Sequence, residues 1–408
     1  MIGNGLGAPP PRHQRSLQGR AVVVLAALLM AATAASEWGA PGVAGAARRP
    51  AEPAAKAVGQ PAPSGSGTLD AVSCASTSVC WAVGLPPSGA STSGRARALV
   101  VGTNDGGRTW STTKAAVPGT ASLMDIDCAG PKTCMAVGSV VVGMADQGLV
   151  LATTDHDKRW TVVHAPAGAT DLVAVSCTSP EVCMVVASQG AAYWAASTTD
   201  DGAVWQHLGP LPGGLAGVSS LACTAASSCL AAGNMPTTPG KGTAAVATTT
   251  DGGMTWTPAT TPSGAGPLHD VACPTPSECL AVGSRSPSTI GVAQGQGEVL
   301  SSTDGGGTWT TGAAPASVSD AFAISCPTTS RCAVVGTRWT TANPPGPTGA
   351  VAATTDGAGT WLSGSTQYLP LGLVAVSCPA ATLCVAAGND ELARIALPPV
   401  GRTSGSGS

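Results

Sequence analysis

The fourteen cysteines are the most reactive side chains in this sequence, and their spacing is regular. They fall into seven C-x5-C units: Cys74/Cys80, Cys128/Cys134, Cys177/Cys183, Cys223/Cys229, Cys273/Cys279, Cys326/Cys332 and Cys378/Cys384. Two kinds of chemistry use paired cysteines, zinc ligation and disulfide formation. Zinc sites favour pairs two to four residues apart with a second ligand pair, and only His269 lies near any of these cysteines. Cysteines flanking a short hairpin loop instead face each other across antiparallel strands within bonding reach. We therefore expect seven disulfides, one per unit, with no metal and no cofactor.

A carboxylate recurs between the cysteine pairs. Asp105, Asp155, Asp200, Asp251, Asp304 and Asp356 each precede a tryptophan by five residues, at Trp110, Trp160, Trp205, Trp256, Trp309 and Trp361. Six carboxylates spread evenly along the chain cannot converge on one reaction centre. An Asp followed by glycines suits a turn, since the carboxylate accepts its own backbone N–H groups and glycine permits positive φ. The indole then packs between neighbouring sheets.

The first cysteines of successive units are 54, 49, 46, 50, 53 and 52 residues apart, a period that signals a propeller or array. Each repeat reads as four short strands. Strand A ends at the first cysteine, with apolar residues five and two positions before it, as at Leu172 and Val175. Strand B starts at the second cysteine and carries Val83, Val137, Val186, Val282 or Val335, or the smaller Ala232 or Ala387. Strand C precedes the Asp turn, strand D follows its Trp, and no segment has the apolar period of a helix. Four strands in about 50 residues make a propeller blade, so the expected fold is an all-β seven-bladed propeller over residues 54–400.

Composition agrees with this. Gly and Pro together number 87, one Phe and two Tyr leave Trp as the only bulky filler, and the core must be Val, Ala and Leu. Net charge is −3 with only 10% charged residues, which gives no basic footprint for nucleic acid. Arg12, Arg15 and Arg20 precede an apolar run and an Ala32-Thr33-Ala34 cleavage pattern, so residues 1–35 read as a secretory signal peptide. The run is shorter than the roughly 20 residues a membrane span needs, although retention as an anchor is the competing reading. Residues 36–53 read as a linker and 401–408 as a frayed tail. Export to an oxidising compartment favours the disulfide reading.

The turns Asp304-Gly305-Gly306-Gly307-Thr308-Trp309 and Asp251-Gly252-Gly253-Met254-Thr255-Trp256 resemble the Asp-box, or BNR repeat. With Ala281-Val282-Gly283, the pattern resembles the seven-bladed photosystem II assembly and stability factors and their relatives in non-photosynthetic bacteria. The cysteine pair in each repeat departs from the photosynthetic members. The resemblance extends to sialidases, but the Phe/Tyr-Arg-Ile-Pro motif is missing, because the single Phe322 is followed by Ala323-Ile324. Neither Tyr193 nor Tyr368 sits in a matching context. Xyloglucanases share the turn but place a cleft between two propellers.

The resemblance implies a secreted, non-enzymatic scaffold that binds a protein or glycan partner at the cell envelope as a monomer. The alternative is a sialidase-like glycoside hydrolase, which would need two carboxylates at a defined separation. A four-strand meander sends the A–B and C–D turns to one face and the B–C and D–A loops to the other. Loops of variable length, 85–97, 234–242, 284–297 and 337–349, lie on the second face and make Arg285, Arg338, Trp339, Tyr193 and Trp194 the binding candidates. Seven cysteine pairs but only six Asp turns leave the last repeat without a strand D. Counting back from Cys74 predicts that residues 55–60 supply it by pairing with 391–397.

Overall fold

The computed structural model describes residues 54–63, 67–87, 97–130, 132–154, 159–235, 242–285, 296–340, 346–367 and 372–399. The expected signal peptide, linker and tail lie outside the described residues, as do Asp155, Tyr368 and most of the variable loops. Every described element is a β-strand, arranged in seven sheets. Blade 1 comprises strand A at Thr68–Cys74, B at Cys80–Leu85, C at Arg97–Thr103 and D at Ser111–Ala116, hydrogen-bonded in that order. The A strands of the later blades are Thr120–Cys128, Asp171–Cys177, Gly217–Ala225, Leu268–Ala272, Asp320–Thr328 and Ala375–Ala380. Each A strand packs beside the next, and the last packs beside the first, which closes a ring.

Seven disulfides join the fourteen cysteines as expected, and no cysteine is free. In blades 1 to 4 the bonded cysteines are direct cross-strand partners, as with Cys74 and Cys80. The reactivity that the sequence suggests for these side chains is withdrawn by the fold. Cys80, Cys134, Cys183, Cys229, Cys279, Cys332 and Cys384 are all buried, and so is Cys378. The physical reason is position. The second cysteine of each pair belongs to strand B, which lies between strands A and C of its own sheet and is covered by the neighbouring blades. Cys134 sits in the seam between blades 1 and 2, Cys183 in that between blades 2 and 3, and Cys229 in that between blades 3 and 4. These cysteines are core staples, and none of them is a site open to a ligand.

The core lies in the seams between blades. Trp160 packs with Trp81 and Val100 of blade 1, Trp256 with Leu208 and Ala195 of blade 3, and Trp309 with Val246 and Leu230 of blade 4. Each indole thus fills the gap to the preceding blade, where an alanine- and valine-rich surface leaves room for it. Trp205 Nε1 donates to His164 O at 2.7 Å and Trp361 Nε1 to Ala313 O at 2.8 Å, which ties those seams by hydrogen bonds as well.

The Asp turns are self-contained. Asp251 Oδ1 accepts from Thr255 N at 3.0 Å and Oδ2 from Thr255 Oγ1 at 2.6 Å, while Thr249 Oγ1 donates to Oδ1 at 2.8 Å. The bonds from Thr255, side chain first, hold the Asp251 carboxyl down at about 2. Gly252 and Gly253 take φ of 75° and 88°, which a β-carbon would strain. The turn docks on the A–B hairpin of its own blade, with Gly252 N donating to Ser227 O at 2.9 Å and Gly305 N to Ser277 O at 2.9 Å. Hairpin and turn therefore share one face, as the meander requires.

The last blade is completed from the N-terminal side. Lys56–Pro61 pairs antiparallel with Glu391–Ala396, from Lys56 opposite Ala396 to Pro61 opposite Glu391. Ala57, opposite Ile395 and so in register with Cys384, stands where the other blades place the turn Trp, and it is fully buried. This sheet also has a fifth strand that the repeat pattern does not anticipate. Ser365–Gln367 pairs parallel with Lys56–Val58, and Ser365 N donates to Ala55 O at 2.9 Å. With alanine in place of the indole, the connector from blade 6 closes directly onto the latch strand.

Candidate functional site

Strand A of each of the first six blades carries a register shift between the residues five and three positions before its first cysteine. A bulge leaves one residue unpaired and resets the alternation of faces, so the apolar residues at both the fifth and second positions can be buried. The bulged residues include Asp70, Met124, Ser219, His269 and Phe322, and all five line a central channel of about 310 Å³. His269 and Phe322 meet edge to face at 5.5 Å. Burial lowers the His269 pKa.

The channel also holds Asp125, Asp127 and Asp270, which sequence reasoning missed. A strand at the inner edge of a blade has backbone N–H groups with no neighbouring strand to receive them, and these side chains supply the acceptors. Asp125 Oδ2 accepts from Val175 N and Asp127 Oδ2 from Cys177 N, both at 2.8 Å, joining blade 2 to blade 3. Ser220 Oγ donates to Asp270 Oδ1 and Ile324 N to Asp270 Oδ2, both at 2.8 Å, joining blades 4, 5 and 6. Serines do the same elsewhere. Ser73 Oγ accepts from Cys128 N at 3.1 Å, Ser176 Oγ from Cys223 N at 3.1 Å, and Ser325 Oγ from Cys378 N at 3.0 Å. Ser377 Oγ accepts from Cys74 N at 3.0 Å, so all seven seams are bridged from the channel side.

Burial acts against these carboxylates. It pushes Asp125 up to about 7 and Asp270 up to about 6, outweighing the N–H bonds that favour the charged form. Asp127 and Asp70 are raised by the same cause. A carboxyl whose pKa is higher in the fold than in the unfolded chain binds its proton more tightly when folded. Its contribution is complete below about pH 4 and is lost as pH rises through about 6 for Asp270 and about 7 for Asp125. Resistance to urea should therefore fall by on the order of a few kcal/mol between about pH 5 and about pH 8. Asp125→Asn should flatten that profile while weakening the fold, since an amide cannot accept at both positions. A profile that rises with pH over this range, or one unchanged in Asp125→Asn, would contradict this account of the channel.

The five binding candidates do not form one cluster. Trp194 is buried and stacks on His207 with ring centroids 4.1 Å apart, so its indole packs the blade instead of facing a partner. Trp194 lies in the seam between blades 2 and 3, and Tyr193, on the other side of the strand, is half-buried against the seam between blades 3 and 4. Arg285 ends strand B of blade 5, Cys279–Arg285, and is ion-paired with buried Glu298, whose Oε2 accepts from Gly266 N at 2.7 Å. Arg338 and Trp339 lie near the end of strand B of blade 6, Arg331–Thr340, and are exposed, Trp339 by 39%. Among the described residues no group of three or more His, Cys, Asp and Glu could hold a metal ion, and no helix is long and apolar enough to cross a membrane.

No protein-family model matches the chain, and no curated protein does. Solved structures share its fold. A structure described as YCF48 bound to D1 peptide is 15% identical, with a TM-score of 0.57 over 85% of this chain and 98% of that one. A GH74 enzyme from Niastella koreensis is 14% identical, with a TM-score of 0.56 over 82% of this chain and 53% of the enzyme. A streptogramin B lyase is 10% identical, with a TM-score of 0.58 over 84% of this chain and 98% of the lyase. At these identities the likeness is one of fold, and one peptide-bound protein and two enzymes share it.

Proposed function

We propose that the chain is an exported, monomeric β-propeller that binds a protein or glycan partner at the cell envelope and catalyses no reaction. Residues 1–35 are its signal peptide, 36–53 a linker, 54–400 the propeller and 401–408 the tail, and its Asp turns are Asp-boxes of the assembly-factor type. Seven disulfides fit an oxidising, extracytoplasmic environment. The observation that carries the reading is the pairing of Arg338 with a 39%-exposed Trp339 at the end of a ten-residue strand on a covalently stapled ring. Exposed Trp and Arg on a rigid scaffold are the residue types that dominate binding energy. A propeller of the same fold holding a D1 peptide supports a protein as the partner.

The hydrolase reading draws on a different observation. Asp125 and Asp270 share the channel with carboxyl pKa values raised to about 7 and about 6, as a general acid requires. Against it, both oxygens of each are engaged: Asp270 bonds to blades 4 and 6, and Asp125 accepts from Val175 N of blade 3 and from Ile126 N of its own strand. Capture from native cell envelopes tests the binding reading. The wild-type protein should enrich a specific partner, and Arg338→Glu/Trp339→Ala should lose it while melting at the same temperature. Equal enrichment by the two proteins would refute the assignment of these residues.

A further inference from the structure

The chain carries only 19 Lys and Arg in 408 residues, yet three of them line one groove. The groove, of about 430 Å³, runs between the latch strand of blade 7 and the Asp turn of blade 1. Lys56 and Val58 face it from the latch, Arg394 and Ala396 from Glu391–Ala396, and Arg108 from the turn. The register explains the grouping, since Lys56 is opposite Ala396 and Val58 opposite Arg394, and all four project from the same side of the sheet. Gln60 Nε2 donates to Gly107 O at 2.7 Å and fixes the turn against the latch. Arg108 Nη1 donates to Asp105 O at 2.8 Å, which holds its guanidinium in place with donors to spare.

None of the described residues lining the groove is acidic. Arg394 Nε is shut off from solvent and has no hydrogen-bond partner. A buried guanidinium N–H without an acceptor is costly, and here it belongs to a cation that borders a groove with two further cations. Three positive charges with several guanidinium donors are poorly matched by one carboxylate and better matched by a tetrahedral oxyanion with three terminal oxygens, doubly charged in a phosphate monoester and singly charged in a sulfate ester, which guanidinium forks grip in a bidentate way. The groove has the size of a small-molecule site rather than that of a bare ion, and Val58, 43% exposed, offers an apolar floor beside the charges.

We infer that this groove binds a phosphate or sulfate ester of a small organic molecule, with Arg394, Arg108 and Lys56 on the oxyanion and Val58 and Ala396 beneath the organic part. The site lies on the outer seam of blades 7 and 1, away from Arg338 and Trp339, and stands independently of the partner proposed there. Calorimetric titration of the full-length protein with glucose 6-phosphate, glucose 6-sulfate and glucose tests it. One or both esters should bind, more weakly as salt rises, and glucose should not. Lys56→Ala and Arg108→Ala, both at exposed positions, should each weaken ester binding about tenfold with an unchanged melting temperature. Arg394→Ala should abolish binding. The preferred ester identifies the source of the anion. No binding of either ester at about 10 mM, binding of glucose as tight as that of the esters, or ester affinity unchanged in Lys56→Ala and Arg108→Ala would overturn the inference.

Discussion

A chain beginning at Ser64 should lose on the order of 5 kcal/mol of stability and should self-associate. The missing segment contributes a strand paired on both sides, to Glu391–Ala396 along its whole length and to Ser365–Gln367 over Lys56, Ala57 and Val58. Ala55 and Ala57 are fully buried in the core between blades 6 and 7, and Ala62 N donates to Asp390 O at 2.7 Å. Removing them opens the edge of Glu391–Ala396, a strand that carries Leu392 and Ile395, and unpaired edges of this kind template association. Thermal melting and light scattering would measure both effects. A synthetic peptide of residues 54–63 should restore the melting temperature in a concentration-dependent way, because it binds only the folded ring. A truncated chain that melts with the full protein would show that the ring does not depend on its latch.

Loss of the disulfides should be more damaging still. Each closes a loop of five residues between its cysteines, worth about 2 kcal/mol in the chain-entropy description, and seven together approach on the order of 10 kcal/mol. That is the size of a whole domain's net stability. The core they support has one Phe and two Tyr, and its seams are filled largely by Ala and Val. The second cysteine of every pair is buried, from Cys80, Cys134, Cys183 and Cys229 to Cys279, Cys332 and Cys384, so reduction will require partial unfolding. Alkylation of the native protein followed by intact mass should find no free thiol. After reduction in urea, refolding with reductant present should give a chain that is unfolded or melts far lower. Several alkylated cysteines in the native protein, bridges between different repeats, or a reduced chain of undiminished stability would contradict this.

Much of this architecture was legible because it repeats. The C-x5-C units and the Asp-to-Trp spacing of five marked the hairpins, the turns and the seams they fill, and the seven-against-six count pointed to residues 55–60 as the missing strand. The channel was not legible, because its chemistry does not repeat. The position just before the first cysteine is Ser73, Asp127, Ser176, Ala222, Ala272, Ser325 or Ser377, and only the closed ring shows that several of these do the same work. A signal was present in Met124-Asp125-Ile126-Asp127, two carboxylates in a strand of a chain with 10% charged residues. The bulge that turns Asp70 and His269 into the channel depends on pairing with strand B, which no local pattern encodes. Trp194 misled for a related reason, since it sits next to Tyr193 near a loop but its face is covered by His207 from strand D, Gln206–Pro210.

On the proposed function the channel carboxylates bind the blades together and do no chemistry. The most direct test is to incubate the purified protein with sialyl and glucan reporter substrates from about pH 4 to about pH 8, the range in which Asp125 and Asp270 change charge. The wild-type protein should show no turnover at any pH. Turnover that follows a pH profile near 6 to 7 and is abolished by Asp125→Asn or Asp270→Asn in a folded protein would contradict it.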